Sequence, residues 1–412
     1  MERLATQKVV WRCSPRSPHG MSPSRTVKPP LPEVLFKAGS KSFELERILR
    51  RRGHGEQHFL AIRRQPGREP VPVFLQALSL RGGDIFPSRD PRARLQETLA
   101  LSRLLEHPRI ARLHGGHEVG GLLFFEWERV PGCTLDDVAM LPLVYVHAYS
   151  EAFLVHVGLQ LTSLLGFLHG KTDARGAPLG FVHRDLHPQG IRFGPEGALA
   201  LTDLGDVLSR MQGRVPSSIT RPHGEVYYGA PEVLFGEGAD ARSDLFSLGL
   251  ILLELATGLH LYSLPRALLG DLEARLTDAD AKRVFQGMMV AAQAGHGSGE
   301  YADVVLHAAA YRPEDLESLM ARLSPGLRAI FHRLLRRAPS ERYATAEALE
   351  VDLRAHAAAL GGPYGGAEAA AEFQWALEKT APRLEAFQVD VGAFPSGSVL
   401  HLPTSWPAES PA

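Results

Sequence analysis

The stretch that decides the fold of this chain is residues 183–188, His183-Arg184-Asp185-Leu186-His187-Pro188. Three further landmarks follow it in order: Asp203-Leu204-Gly205, Ala230-Pro231-Glu232 and Asp244-Leu245-Phe246-Ser247-Leu248-Gly249. Each of these short motifs is a weak signal by itself. Their common order and spacing are specific, because four independent matches along one chain rarely arise by chance.

These landmarks resemble the catalytic loop, the metal-binding turn, the end of the activation segment and a buried helix of eukaryotic-type (Hanks-type) Ser/Thr protein kinases. The resemblance covers residues 43–360. It implies an α+β, bilobal protein-kinase-like fold with a small β-rich N-lobe (43–128) and a larger helical C-lobe (129–360). The order of the predicted elements agrees, because strands come first and helices follow.

The resemblance implies roles for the large-lobe residues. Asp185 lies where the base that accepts the substrate hydroxyl proton should be, in a loop that also carries His183, Arg184 and His187. Asp203 matches the magnesium-binding aspartate. The sequence therefore keeps the two carboxylates on which the family's phosphoryl transfer depends.

Five more residues match structural or nucleotide-binding positions. Glu232 resembles the carboxylate that pairs with Arg342, and Asp244 resembles the aspartate that caps the backbone of the catalytic loop. In the small lobe, Glu97 lies where kinases place the helix glutamate that pairs with a strand lysine, and Glu128 resembles the hinge residue. The structural skeleton of the family is thus predicted to be present.

The phosphate-gripping lysine is the first departure from the family pattern. Aligning Val73-Phe74-Leu75-Gln76 with the third strand's Val-Ala-Ile-Lys puts Gln76 at that position, and residues 42–170 contain no lysine. A neutral amide can hydrogen-bond Glu97, but it brings no positive charge to the phosphates. Arg63 or Arg64 would reach the site only with an unusual strand register.

The glycine turn between the first two predicted strands is a further nucleotide-binding feature. Gly53 and Gly55 would form the phosphate lid, and His58 occupies the third glycine position. A protonated imidazole at His58 would compensate in part for the missing lysine, since histidine changes charge near neutral pH.

Metal binding is the second departure. The catalytic-loop asparagine that holds a second magnesium falls at Gly190, whose side chain offers no ligand atom. Asp203 would then have to anchor the metal alone, whereas magnesium with a nucleotide is usually held by more than one protein ligand.

The shape of the nucleotide cleft is the third departure. Phe74 shares a strand face with Gln76 and replaces the small alanine that roofs adenine, and Arg192 replaces a leucine of the cleft floor. We predict that Phe74 lies over Arg192, with a cation–π contact, or folds into the adenine slot. A register slip of one or two residues is the alternative.

A further substituted pair is His187, where Ser/Thr kinases keep a lysine, and Glu225, where they keep a threonine. Together they would form a His–carboxylate bridge across the peptide-docking groove. Two unrelated surface substitutions explain the pair equally well.

Composition limits the classes of partner. Lys+Arg 45 against Asp+Glu 46 gives a net charge of -1, so no strong polyanion-binding field is expected. Two cysteines make no disulfide framework, and the longest apolar stretch, 245–255, is too short to span a bilayer. We therefore expect a cytoplasmic protein that binds neither nucleic acid nor membrane.

Composition and apolar periodicity also predict how the chain is organised into tails, strands and helices. Residues 1–42 are rich in Pro, Ser and Arg and are predicted to be disordered, and residues 361–412 are predicted to form a partly disordered extension with one helix at 367–384. Strands are predicted at 43–52, 58–64, 71–78 and 122–127, and helices at 91–106, 153–169 and 245–257.

The sequence favours a bacterial pseudokinase: a signalling protein with impaired ATP binding and phosphoryl transfer that acts by binding another kinase or signalling protein. The alternative is an active Ser/Thr kinase with an atypical site, which would use ATP and Mg²⁺. A small-molecule phosphotransferase is a further alternative, against which the Ala230-Pro231-Glu232 segment argues, because that segment belongs to peptide-docking kinases.

Overall fold

The computed structural model describes residues 34–49, 57–80, 91–145, 148–202, 204, 226–264, 271–294 and 298–386. A β-rich lobe comes first and a mostly helical lobe follows. The predicted α+β, bilobal fold is therefore confirmed.

The first lobe is built on a six-stranded antiparallel sheet with the strand order β1-β2-β3-β4-β6-β5. Its strands are β1 (Val34–Ala38), β2 (Lys41–Leu49), β3 (Gln57–Arg64), β4 (Val71–Ser79), β5 (Leu113–Val119) and β6 (Leu122–Glu128). Tight turns join β1 to β2 and β5 to β6, with left-handed glycines at Gly39 (φ 59°) and Gly120 (φ 62°).

The two faces of this sheet have different roles. One face buries its own small core, which includes Phe36, Phe43, Phe59 and Phe124. The other face contributes Trp127 to the large core that continues into the second lobe. Residues that pair across strands share a face, so the pairing of Phe74 with Trp127 places both on the side of the second lobe.

The first strand corrects the predicted start of the folded chain. The sequence predicts that residues 34–42 belong to the disordered tail 1–42, yet β1 pairs with β2 and the ring of Phe36 stacks on Phe43 at a centroid distance of 4.5 Å. The sequence pattern missed β1 because only six residues, 33–38, separate Pro32 of the Pro-rich segment from the Gly39 turn. The predicted tail residues 1–33 lie outside the described part of the chain.

The second lobe is helical around a small sheet of β7 (Cys133–Thr134), β8 (Ile191–Phe193) and β9 (Leu199–Leu201). Among the described residues the helices are α1 (Pro91–Leu104), beside the first sheet, and then α2 (Leu135–Tyr145), α3 (Glu151–His169), α4 (Pro231–Leu234), α5 (Ala241–Thr257), α6 (Asp278–Ala294), α7 (Ser298–Ala310), α8 (Pro313–Leu319), α9 (Pro325–Leu334), α10 (Ala346–Leu360) and α11 (Gly366–Ala386).

Helices α3 and α5 form the centre of this lobe. Asp240 caps α5 in a capping box with Ser243, and Gly258 ends the helix in the left-handed conformation. Helix α3 is long and apolar enough, by length and composition, to cross a membrane. Its buried residues contribute to the core that α5 and α10 share with it.

The C-terminal extension is less separate than predicted. The helix expected at 367–384 is α11, and it packs against α2 and α3 with Ala369 and Thr380 fully buried. Helix α11, which lies beyond the predicted boundary at residue 360, therefore packs on the helical lobe. Residues 387–412 lie outside the described part.

Candidate active site

The catalytic loop is held from below by Asp244 on α5. Its Oδ2 accepts from the backbone N–H of His183 at 2.7 Å and its Oδ1 from that of Arg184 at 2.9 Å. His169 Nε2 lies 2.8 Å from the same carboxylate. The sequence-predicted contact of Asp244 with the loop is thus present. His169 is an additional partner, which the motif-based prediction missed.

This anchor also holds a strained backbone. Arg184 has φ 65°, the only positive φ at a non-glycine residue in the described ranges. A left-handed residue of this kind persists when surrounding contacts enforce it. Burial opposes ionisation of Asp244, but the hydrogen bond and charge of His169 outweigh it and keep the pKa of Asp244 below its usual value.

The second structural pair predicted from sequence also forms. Arg342 donates to Glu232 through two parallel hydrogen bonds of 2.8 Å, and both residues are buried. Ser243 adds a third donor to Glu232 at 2.7 Å. A bidentate pair of this kind has defined geometry, so it ties the end of the activation segment to the chain before α10.

Asp185 and His187 lie together in the catalytic loop. The His187 Nε2 atom is 3.8 Å from Asp185 Oδ1, and His187 is 1% exposed. A Cβ on Gly190 would lie 3.2 Å from the same Nε2 atom. The imidazole therefore folds back into the loop. Glu225, its predicted partner across the docking groove, lies outside the described residues, so that bridge stays a prediction.

Gly190 offers little to a second magnesium ion. Its carbonyl oxygen, the only ligand atom at this position, accepts from Thr202 through the backbone N–H at 2.9 Å and the hydroxyl at 3.1 Å. Two donors use both lone pairs of a carbonyl. Gly190 therefore does not fit the role of a ligand to a second metal ion. Asp203, the other predicted ligand, lies outside the described residues.

Gln76 is buried at the lysine position. It is 4% exposed, and its Oε1 accepts from the indole N–H of Trp127 at 3.3 Å. Its amide oxygen is therefore used by the neighbouring strand β6. The predicted partner Glu97 is on α1, and its side chain lies outside the described part, as do Gly53 and Gly55 of the phosphate lid.

The arginines that a shifted register would bring to Gln76 lie elsewhere. Arg63 pairs with Glu126 on the opposite face of the sheet, and Arg64 pairs with Glu44 at 2.7 Å. Neither arginine therefore pairs with Gln76 in the described part of the chain. His58 is the direct partner of Gln76 across β3 and β4, so a basic side chain stands beside Gln76 on the same face of the sheet.

Phe74 faces the same side as Gln76, as predicted. Its ring meets the His58 ring edge-on at a centroid distance of 5.2 Å, and it packs against the large core. Arg192 Nη1 points to the Gly132 carbonyl at 3.4 Å. Phe74 thus has His58 as a ring partner, and its predicted stacking on Arg192 stays a prediction.

The hinge residue is exposed. The backbone N–H of Glu128 donates to the Arg112 carbonyl at 2.8 Å, and its carboxylate accepts from the Arg112 backbone N–H at 3.2 Å.

Within the described ranges no cluster of three or more His, Cys, Asp or Glu residues could hold a metal ion.

Comparison with known sequences agrees with this geometry. The sequence profile of the family described as "Protein kinase domain" matches residues 87–353. The chain belongs to the protein kinase family. The match begins at residue 87, whereas the described sheet of the N-lobe begins at Val34.

Individual kinases match at lower coverage. The serine/threonine-protein kinase PknJ of Mycobacterium tuberculosis is 27% identical over 235 residues, which is 54% of this chain and 35% of that protein. PBL13 of Arabidopsis thaliana is 29% identical over 53% of this chain and 42% of its own length. Human Nek10 is 26% identical over 54% and 17%, respectively. The chain thus spans less than half the length of these relatives.

Proposed function

We propose that this protein is a signalling member of the kinase family that acts through protein binding, with ATP binding and phosphoryl transfer impaired. The observation that carries the proposal is the buried Gln76 at the lysine position, with its amide oxygen bound to Trp127. Neither Arg63 nor Arg64 brings a charge to it, since each is paired elsewhere.

The magnitude of the loss supports this proposal. Removing one preorganised contact to developing charge costs roughly 3 kcal/mol in known enzymes, and each 1.36 kcal/mol is a tenfold change in rate. The chain lacks the lysine and the asparagine together, and the carbonyl at Gly190 is already used by Thr202. We therefore expect transfer close to the uncatalysed background.

Partner binding is favoured because the described end of the activation segment, residues 226–232, is held in place by hydrogen bonds. Tyr228, just before Ala230-Pro231-Glu232, donates its hydroxyl to Glu254 at 2.5 Å, and its carbonyl accepts from Ser247 at 2.7 Å. A platform held this firmly can bind a protein segment whether or not phosphate is transferred.

An active Ser/Thr kinase with an atypical site is the second candidate. One observation favours it: the loop that carries Asp185 is anchored by Asp244 through two backbone hydrogen bonds. In that case Asp185 would accept the hydroxyl proton, and ATP and Mg²⁺ would be required. The third candidate, a small-molecule phosphotransferase, has no comparable support, since the docking segment is retained.

The test is a thermal-shift titration with ATP, with and without Mg²⁺ or Mn²⁺, followed by transfer of labelled phosphate to a protein substrate. We expect no metal-dependent shift and no transfer above the level of Asp185→Asn. Asp278→Asn, an exposed aspartate on α6, is the matched control. Transfer at an ordinary kinase rate that only Asp185→Asn removes would establish the second candidate.

A further inference from the structure

The end of the N-lobe sheet that carries the β1–β2 and β3–β4 turns has an open concavity of about 520 Å³. We name it the cationic concavity, after the side chains that line it: Lys37, Ser40, Lys41, Ser42, Arg64 and Arg68. None of its lining residues is acidic.

Strand register brings these charges together. Lys37 pairs with Ser42 across β1 and β2, and Ser42 pairs with Arg64 across β2 and β3. Directly paired residues have Cβ atoms about 5 Å apart on the same face. Lys37, Ser42 and Arg64 therefore form one row. The β3–β4 turn adds Arg68, whose backbone N–H donates to the Gln65 carbonyl at 3.0 Å.

The charges of the concavity are only partly neutralised. Lys41 contacts the buried Glu126 at 3.3 Å, and Arg64 contacts Glu44 at 2.7 Å. In the described part of the chain, Lys37 and Arg68 have no ion pair.

Glu126 is already saturated, so it cannot neutralise more. Arg63 and His117 bind the same carboxylate, the latter at 2.7 Å. Burial acts to raise the pKa of Glu126, but these hydrogen bonds and the charge of Lys41 lower it to about 2. The positive charges of the exposed Lys37 and Arg68 are therefore available to an anion from outside.

We propose that the cationic concavity binds the phosphate group of a phosphorylated serine or threonine in a partner protein. A phosphate group carries close to two negative charges and several strong acceptor oxygens. Lys37 and Arg68 match its charge, and the hydroxyls of Ser40 and Ser42 can donate to it. The inference gives the proposed partner binding a chemical class and rests on it in that respect.

The surroundings favour a phosphorylated segment over an extended polyanion. Nucleic acid and anionic membranes require a broad positive surface. This chain has a net charge of -1, and the basic residues of the concavity lie at one end of the sheet, in the β3–β4 turn and on the strand residues beside the two turns. A single phosphorylated side chain needs only the local cluster.

The experiment uses the full chain and three probes: a five-residue peptide with a central phosphoserine, the same peptide with serine, and inorganic phosphate. Binding is measured by calorimetry, and the site by backbone amide shifts. We expect saturable binding of the phosphopeptide that moves the signals of residues 39–42 and 65–68. We expect Lys37→Ala/Arg68→Ala to weaken it at least tenfold.

Arg322→Ala, an exposed arginine of the helical lobe, is the matched control and should bind as the wild type does. Lys37, on the edge strand β1, and Arg68, in the β3–β4 turn, are both exposed, and circular dichroism verifies that the double variant is folded. Equal binding of the serine peptide, no saturable binding, or unchanged affinity of the double variant would overturn the proposal.

Two further arms separate other sources of the same chemistry. Inorganic phosphate that binds as tightly as the phosphopeptide would make free phosphate the ligand and overturn the partner assignment. Tighter binding of duplex DNA or of phosphatidylserine vesicles would do the same. These binding assays contain no ATP. A failure to bind the phosphopeptide is therefore a separate result from the outcome of the phosphoryl-transfer test.

Discussion

The imidazole of His187 lies against Gly190, with its Nε2 atom 3.2 Å from the position that a Cβ on residue 190 would occupy. The lysine-to-histidine and asparagine-to-glycine departures in the catalytic loop are therefore coupled in space. With His187 folded into the loop, an asparagine at 190 makes a tight contact with the buried ring, which then has to shift slightly. Restoring the metal ligand alone is then not enough to restore the site.

We predict that Gly190→Asn lowers the free energy of unfolding by about 1–2 kcal/mol, as overpacking of a full site does. His187→Lys/Gly190→Asn should recover most of that loss, because the longer side chain can leave the loop. Urea unfolding of both variants and of His187→Lys gives the coupling energy. Gly365→Asn is the control, since Gly365 is not in the left-handed conformation and a Cβ there would meet its nearest atom, Glu368 Oε2, at an ordinary 3.5 Å. Equal stability of Gly190→Asn and the wild type would contradict the coupling.

Asp244→Asn should destabilise the chain by about 3 kcal/mol, because one partner of a buried charged network is neutralised. An amide presents one acceptor where the carboxylate binds the N–H groups of His183 and Arg184 and the ring of His169. Urea unfolding measures the loss, and hydrogen exchange at 183 and 184 should become faster.

Asp240→Asn is the comparison for that experiment. Asp240 caps the same helix, α5, but its carboxylate is half exposed. Asparagine and aspartate cap helices about equally well, so Asp240→Asn should cost less than about 1 kcal/mol. A loss at Asp244 no larger than the loss at Asp240 would show that the buried anchor contributes nothing beyond ordinary capping.

Glu254 predicts a pH dependence of stability. Burial raises its pKa from 4.5 to about 7, against the effect of the Tyr228 hydrogen bond, while the charge of Asp136 raises it further. Because the unfolded chain releases this proton at lower pH than the folded chain, Glu254 costs stability increasingly between pH 4.5 and 7.

Glu254→Gln should therefore match the wild type at pH 4 and exceed its stability at pH 8 by about 1–3 kcal/mol. Urea midpoints at both pH values test this, with Glu314→Gln, an exposed glutamate, as the control. A stability difference that does not change with pH would show that Glu254 titrates normally.

The last prediction concerns α11. Glu372 accepts from the Ser150 N–H at 2.6 Å, from the Ser150 hydroxyl at 2.7 Å and from Tyr364 at 2.7 Å. Glu372→Ala should cost about 1–2 kcal/mol, since hydrogen bonds to a charged group are lost. Thermal unfolding measures it, and Glu378→Ala, on the exposed side of α11, should be nearly neutral. Equal effects would mean that α11 is not held through this contact.

Much of the fold could be predicted because motif order and apolar periodicity are local properties. The strands at β3, β4 and β6 and the helices α1, α3 and α5 follow from them. Strand β5 could not, because its two glycines and two histidines hide the alternation. A Cβ at Gly116 would lie 2.2 Å from Leu95, so that glycine is explained only by the close packing of α1 on β5.

The candidate site divides in the same way. The identities of Asp185, Gln76 and Gly190 and the absence of lysine from residues 42–170 are properties of the sequence, because family motifs fix which position each residue occupies. The partners were decided by the tertiary structure. Trp127 reaches Gln76, His187 folds onto Gly190, and Lys37 aligns with Arg64 only because strand register and loop packing bring together residues that are distant along the chain.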